Sequence, residues 1–547
     1  MARKPAPPPA TRISGAQRLR EWIEKRAAWV SLALMLIGTI RIGLTWQVFH
    51  HTSDEPAHVA CGMEWLERGN YRFETQHPPL SRIFAAFGAR LDGAHMDPQD
   101  RADIHDTMWW NGSVILFRTN SYEHRIAAIR AAMLPFFWLG GFAVFLWGRR
   151  LLGPLGAALS VFLYSMLPLV LAHSGLATTD MALTSTFTLA AYALVILLET
   201  PNWRHAIFCG LALGLMLIAK FSGIPYFIAS AGLACAWWLW KKRSLRGLMP
   251  RIAWLSVSAV IAFFIIWATY RFSFGRSPLF PFPTPFPEWF DGIHAVMEHN
   301  KGGHPSYFLG TVMYTGSWLF FPLLFLVKTP LPVLLLFAAA FFLRPKQLTG
   351  YGWLPWAVVA GVMAVAVPAR INIGLRHVLP MFPFVCVLAA GAAAALWERA
   401  SEKQWAGAVL AFLLVWLAAG SLRAHPDYLA DFNLLAGDHP ENITVDSDLD
   451  WGQDILRLRD RLRELHAPSV NFTATIYTSF ATLGFPPVTP NDPSAPGPGW
   501  NAVSLMYLKL FRMSAGPEGH RVKLWPELLQ PTEVVGKSIL LFYVPPR

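Results

Sequence analysis

Residues 28–58 read AWVSLALMLIGTIRIGLTWQVFHHTSDEPAH, an apolar run that ends on two adjacent acids, Asp54 and Glu55. A helix needs roughly 20 mostly apolar residues to cross a bilayer, and Ala28–Val48 supplies them. Seven Lys and Arg residues precede the run. Under the positive-inside rule this bias keeps the N-terminus in the cytoplasm and puts the Asp54–Glu55 loop outside. Carboxylates at a membrane edge are costly unless something pairs with them or uses them, so the pair marks a candidate site.

The rest of the chain has the same character. Of 547 residues, 54% are hydrophobic and 15% charged, with 24 Trp and 38 Phe, the balance of a multi-pass membrane protein. The net charge of +12 sits in short clusters between apolar runs. These read as cytoplasmic anchors and exclude nucleic acid as the partner. Three of the four cysteines, Cys209, Cys235 and Cys386, lie in apolar runs, so no disulfide framework is expected. Residues 1–27 read as a basic cytoplasmic tail, with no cleavage site of the signal-peptide kind.

Basic residues recur at each expected inner turn: Arg149/Arg150, Arg204, Lys241–Arg246, Arg344/Lys346 and Arg399/Lys403. About eleven membrane-spanning helices within residues 28–422 satisfy all of them. Outer loops are expected at about 50–123, with short amphipathic surface helices, and at about 271–307. One span between Phe308 and Leu343 is preceded by a surface-lying or re-entrant piece containing Lys328-Thr329-Pro330. The eleven-span count leaves residues 423–547 outside. That tail mixes a helical pattern at Asp454–Leu465 with β-like runs such as Ile539–Val544, a small extracytoplasmic α+β domain. No internal repeat is seen, which weakens an inverted-repeat transporter reading.

The outer turns collect Asp54, Glu55, His77, Asp180, Lys220, Lys328, Arg370, Arg376 and His377, with Arg130 about a turn inside the second span. Charges on one side of a membrane suit a single outward-facing cavity, whereas an ion pathway needs them at several depths. The charges divide by sign. Carboxylates can take a proton from an attacking hydroxyl, and Arg and Lys can hold a phosphate and stabilise it as it leaves. Sugar transfer from a lipid phosphate uses both.

Asp54-Glu55-Pro-Ala-His58 followed by His77-Pro78-Pro79-Leu80 resembles the first outer loop of the GT-C glycosyltransferases. The most similar type is the protein O-mannosyltransferase and aminoarabinose-transferase superfamily (glycosyltransferase family 39-like). Several motifs follow in the same order: Arg130, Gly148-Arg149-Arg150-Leu-Leu-Gly153, Ala177-Thr178-Thr179-Asp180, Gly210–Lys220, Lys328-Thr329-Pro330, Gly374-Leu375-Arg376-His377 and Asp446-Ser-Asp448-Leu-Asp450-Trp451-Gly452-Gln453-Asp454. The later ones look like a bacterial subgroup. The resemblance implies an all-α polytopic GT-C fold in the bacterial plasma (inner) membrane. It implies inverting transfer from a polyprenyl-phosphate-linked sugar to a glycan, lipid or protein acceptor. Asp54 would be the catalytic base, with Glu55 shaping the acceptor site, Arg130 on the donor phosphate and Asp180 a second acidic site residue. Charge and side of the membrane add Lys220, Lys328, Arg370 and Arg376 as donor-phosphate ligands, with His77 and His377 as substrate-binding residues. The repeat domain of eukaryotic O-mannosyltransferases is absent, which argues against a protein acceptor.

Each residue has a plainer alternative. Asp54 and Asp180 could be helix caps, Arg130 could snorkel to the interface, and His77 could shape a turn. Asp446-Ser-Asp448-Leu-Asp450 alternates carboxylates as a hard divalent cation requires, yet lacks the later Glu and Gly of a calcium loop. It equally suits a solvated loop before the helix from Asp454, and no metal ligand is assigned. Transport of an anionic lipid and transfer of a preassembled glycan are the rival functions.

Overall fold

The computed structural model describes residues 15–96, 107–118, 122–242, 249–346, 348, 351–492, 494–514 and 524–546. It opens with α1 (Gly15–Gly43), followed by the outer-loop helices α2 (Glu55–Met63), α3 (Leu80–Leu91) and α4 (Thr107–Phe117). These pack at unusually close range: a Cβ on Gly62 of α2 would lie 1.9 Å from the Arg82 carbonyl of α3. Glycine is required there because two backbones meet.

The chain re-enters through α5 (Tyr122–Ala131), α6 (Leu134–Met166) and α7 (Pro168–Ser174). Gly153, at φ 76°, interrupts α6 ahead of Pro154, beside the expected inner turn at Arg149 and Arg150. Then come α8 (Asp180–Glu199), α9 (Trp203–Leu217), α10 (Gly223–Lys242) and α11 (Met249–Thr269). The second outer loop holds the two-residue strands β1 (Phe274–Gly275) and β2 (Thr284–Pro285), helix α12 (Pro287–Gly302), and the hairpin β3 (Ser306–Phe308) and β4 (Thr311–Met313).

Next, α13 (Phe320–Lys328) and α14 (Leu331–Ala339) meet at 111° across Thr329-Pro330. Proline at this break lacks the N–H that would continue α13. The expected re-entrant piece and its span are thus two short helices bent about Lys328-Thr329-Pro330. The apolar part ends with α15 (Leu354–Ala366), α16 (Phe382–Arg399) and α17 (Gln404–Arg423).

Six helical runs among the described residues are long and apolar enough to cross a bilayer, and the α13–α14 pair makes a seventh. The chain is a multi-pass membrane protein with fewer such runs than the eleven spans expected from charge. Two reasons are physical. Tyr122–Met166 forms one run of 45 residues where two spans were expected, and α9 and α15 have only 15 and 13 residues. The α16 helix is enclosed from Phe382 to Leu396 and α8 mostly so, while α1, α11 and α17 turn apolar side chains such as Trp29, Ile40, Phe264 and Phe412 outward. An enclosed centre inside an apolar-faced ring is the arrangement lipid favours.

Beyond α17 the chain forms α18 (Ile455–Glu464) and a five-stranded mixed sheet. Its strands are β5 (Val470–Phe472), β6 (Val488–Thr489), β7 (Gly499–Ser504), β8 (Glu533–Val535) and β9 (Ile539–Val544), in the order β6-β5-β7-β9-β8. Strand β5 runs parallel to β6 and β7, and β9 antiparallel to β7 and β8. The helix and strand read from the tail's periodicity match α18 and β9 to within a residue at each end.

Candidate active site

A cavity of about 870 Å³ opens between α2, the loop before α3, the α9–α10 turn, α12 and the end of α15. Asp54, His77, Lys220, Arg376 and His377 line it, together with His58, Glu74, Arg82, Tyr226, His299, Asn300 and His304.

Asp54 is the residue before α2, and its side chain makes no capping bond. One carboxylate oxygen, Oδ2, instead accepts from Arg376 at 2.8 Å, and the side chain keeps 31% of its surface. Asp180 opens α8 and is buried, again without capping. Its Oδ1 accepts from Lys220 Nζ at 2.7 Å and its Oδ2 from Arg376 at 3.5 Å. Arg376 therefore bridges the two aspartates, with its guanidinium 4.1 Å from the Trp451 ring centre. Among the described residues its Nε and the His377 Nε2 are buried without a hydrogen-bond partner, and buried polar atoms of that kind call for a ligand or water.

A second ion pair lies across the cavity. Arg82, fully buried on α3, binds the Glu74 carboxylate, His58 Nδ1 at 3.0 Å and the Tyr71 hydroxyl at 2.7 Å. Glu74 also takes His77 Nδ1 at 3.1 Å. Burial works against the Glu74 charge, but Arg82 and His77 outweigh it and hold the carboxyl well below its ordinary range. Neither Arg82 nor Glu74 stood out in the sequence. The available signal was an arginine two residues after His77-Pro-Pro-Leu80, on a helix otherwise free to hide it.

Four expected site residues are placed differently. The Glu55 carboxylate is buried and takes both Arg130 Nε at 2.9 Å and Nη2 at 2.8 Å, plus the Ala177 and Thr52 N–H groups. Arg130 spends its remaining donors on the Phe49 and His50 carbonyls. Neither lines the cavity; a bidentate guanidinium–carboxylate pair satisfies both partners. In this arrangement the Arg130–Glu55 pair joins the segment after α1, the start of α2 and the loop before Asp180. Lys328 is likewise buried, 2.8 Å from the Leu429 carbonyl and 3.8 Å from Asp448 Oδ1, away from the cavity. Arg370 is exposed at its rim, donating to the Lys301 carbonyl at 3.1 Å.

The acidic run is a latch. Asp448 accepts from the Leu375 N–H at 3.1 Å, the residue beside Arg376. Asp450 accepts from Ser504 Oγ at 2.6 Å and Met506 N–H at 2.8 Å, and burial pushes its carboxyl up to about 6. Asp454 binds Lys537 N–H and Ser538 Oγ. Gly374, at φ 154°, permits the approach, since a Cβ there would sit 2.1 Å from Ser447 Oγ. Among the described residues no three His, Cys, Asp or Glu side chains are arranged to hold a metal.

These elements together have the fold of ArnT. Compared as structures, the chain resembles ArnT from Cupriavidus metallidurans bound to undecaprenyl phosphate, with a TM-score of 0.51 and 15% identity over 94% of this chain and 98% of that one. The apo state of the same enzyme matches with a TM-score of 0.50 and 14% identity over 94% and 97%. At such identity the likeness is one of fold. By sequence, residues 115–277 match the family model of dolichyl-phosphate-mannose-protein mannosyltransferases. A sequence search of curated proteins gave no match.

Proposed function

We propose that this protein transfers one sugar from a polyprenyl-phosphate donor to an acceptor hydroxyl at the extracytoplasmic face of a bacterial plasma membrane, inverting the anomeric centre. The N-terminus lies in the cytoplasm, and residues 423–547 lie outside as a small domain. The observation that carries the reading is Asp54, tied through one oxygen to Arg376 while its other oxygen has no partner among the described residues. Asp54 takes the proton as the acceptor oxygen bonds to the anomeric carbon. The sugar–phosphate bond breaks, and its electrons leave with the polyprenyl phosphate. Lys220, Arg376 through its unpartnered Nε, and His377 face that developing charge, where fixed donors stabilise it most. Asp180 holds both cations in place. The fold's likeness to an ArnT bound to undecaprenyl phosphate supports a polyprenyl-phosphate donor.

Cavity size favours one sugar over a preassembled glycan: 870 Å³ falls within the roughly 300–1,000 Å³ of small-molecule sites. The remaining rival is a lipid transporter. Purified protein given a panel of undecaprenyl-phosphate monosaccharides and acceptor glycans should release free undecaprenyl phosphate. Transport alone leaves the sugar–phosphate bond intact.

A further inference from the structure

Around Asp54 the cavity has a second face that the donor chemistry does not use. It is built from the last turn of α12 and the residues after it. His299 and His304 place their rings 5.4 Å apart. His304 Nδ1 lies 2.9 Å from the Pro305 carbonyl, so that nitrogen carries the proton and Nε2 is left as an acceptor. Asn300 Oδ1 accepts the Arg370 N–H at 3.0 Å, which leaves its two amide protons as donors. Asp54 lines the same cavity as His299, Asn300 and His304, so this face adjoins the base.

Charge separates this face from the other. The cavity's three buried cations, Lys220, Arg376 and Arg82, are matched by Asp180, Asp54 and Glu74. One donor phosphate can share Lys220 and Arg376. A second anion on the α12 side would meet the Asp54 and Glu74 carboxylates across imidazoles whose pKa burial lowers. Unpaired buried charge of that kind is strongly unfavourable. Arg370 stands outside the cavity, on the Lys301 carbonyl.

From this juxtaposition we infer that His304 and Asn300 form the acceptor subsite, and that it takes an uncharged saccharide and not a phosphate-bearing headgroup. An acceptor nitrogen beside an amide donor suits two adjacent hydroxyls, and Trp109 and Met297, which also line the cavity, offer apolar surface for the sugar's C–H face. The inference rests on the proposed transfer reaction.

Saturation-transfer NMR on the full-length protein in nanodiscs tests it with methyl hexopyranosides, the corresponding hexose 6-phosphates and a threonine tripeptide. The account expects a methyl glycoside to bind at least tenfold more tightly than its 6-phosphate. Binding should be lost in His304→Ala and Asn300→Ala and restored in His304→Gln. Tighter binding of the 6-phosphates overturns it, as does binding of the tripeptide alone, binding that ignores both substitutions, or no glycoside binding at all. Undecaprenyl phosphate, titrated into the same samples, isolates the donor side. If it binds while glycosides do not, only the acceptor subsite falls; if it does not bind wild type, the transfer reading falls with it.

Discussion

Glu55 and Arg130 show how a pair of charges can matter to a reaction without facing it. Their two side chains are saturated by each other and by backbone groups from three segments. Arg130→Met therefore leaves a buried carboxylate without its partner and should destabilise the protein by about 3–5 kcal/mol, read as a fall in the thermal unfolding temperature in detergent. The double change Glu55→Gln with Arg130→Met should recover part of that loss. Stable Arg130→Met protein that no longer binds undecaprenyl phosphate would return Arg130 to the donor site. Lys220→Met should weaken undecaprenyl phosphate binding by roughly tenfold or more, since a charge-assisted contact contributes about 1.5–3 kcal/mol, and should also lower the unfolding temperature, because the buried Asp180 keeps only Arg376 as a partner.

Glu74 carries a pH signature. Its carboxyl titrates below the unfolded value, so its contribution to stability is present above the ordinary carboxylate pKa and is lost as pH falls through the acid range. Acid unfolding should accordingly show a smaller pH slope in Glu74→Gln than in wild type. Equal slopes would mean that the Glu74–Arg82 pair adds nothing to folding.

Charge bias and span length put Asp54, Asp180, Lys220 and Arg376 in turns expected to face one way, and the structure brings the four together around one cavity. The sequence could not say which way a side chain points from its turn. Arg130 and Lys328 come from turns expected on the same side, yet they turn toward carbonyls and carboxylates away from the cavity.

At the scale of elements, α2 and α3 carry Asp54, His77 and Arg82 into the cavity only because Gly62 lets the two backbones touch. Gly62→Ala must push the helices apart. It should destabilise by about 1–3 kcal/mol, with a loss of transfer larger than the loss of folded protein, measured by activity against thermal unfolding on one sample. Unchanged activity would show that the α2–α3 spacing is not what sets the site. The α13–α14 bend was visible in Lys328-Thr329-Pro330 because proline ends a helix for a local reason. The span count was less legible. It depends on whether Gly153 breaks one long run or joins two, and on how short helices such as α15 sit among their neighbours.

Across the whole molecule, the segment after α17 packs behind the Arg376 turn. The Asp446–Asp454 run fastens the sheet to the Arg376 turn, and Trp451 lies against the Arg376 guanidinium. The run's order in the sequence drew attention to it, but alternating carboxylates look alike whether they hold a cation or backbone N–H groups. Trp451→Ala should release Arg376, removing a cation–π contact of about 0.5–2 kcal/mol, and weaken undecaprenyl phosphate binding, while Trp451→Phe retains most of it.

Asp54 stands where the two faces of the cavity meet, and replacing one of its oxygens by an amide removes the base with little change in shape. With an undecaprenyl-phosphate sugar and acceptor supplied to purified protein, Asp54→Asn should cut release of undecaprenyl phosphate by roughly 10²–10⁴-fold, while affinity for undecaprenyl phosphate and unfolding temperature stay near wild type. Release at the wild-type rate from a folded Asp54→Asn protein would contradict the assignment of Asp54 as the base.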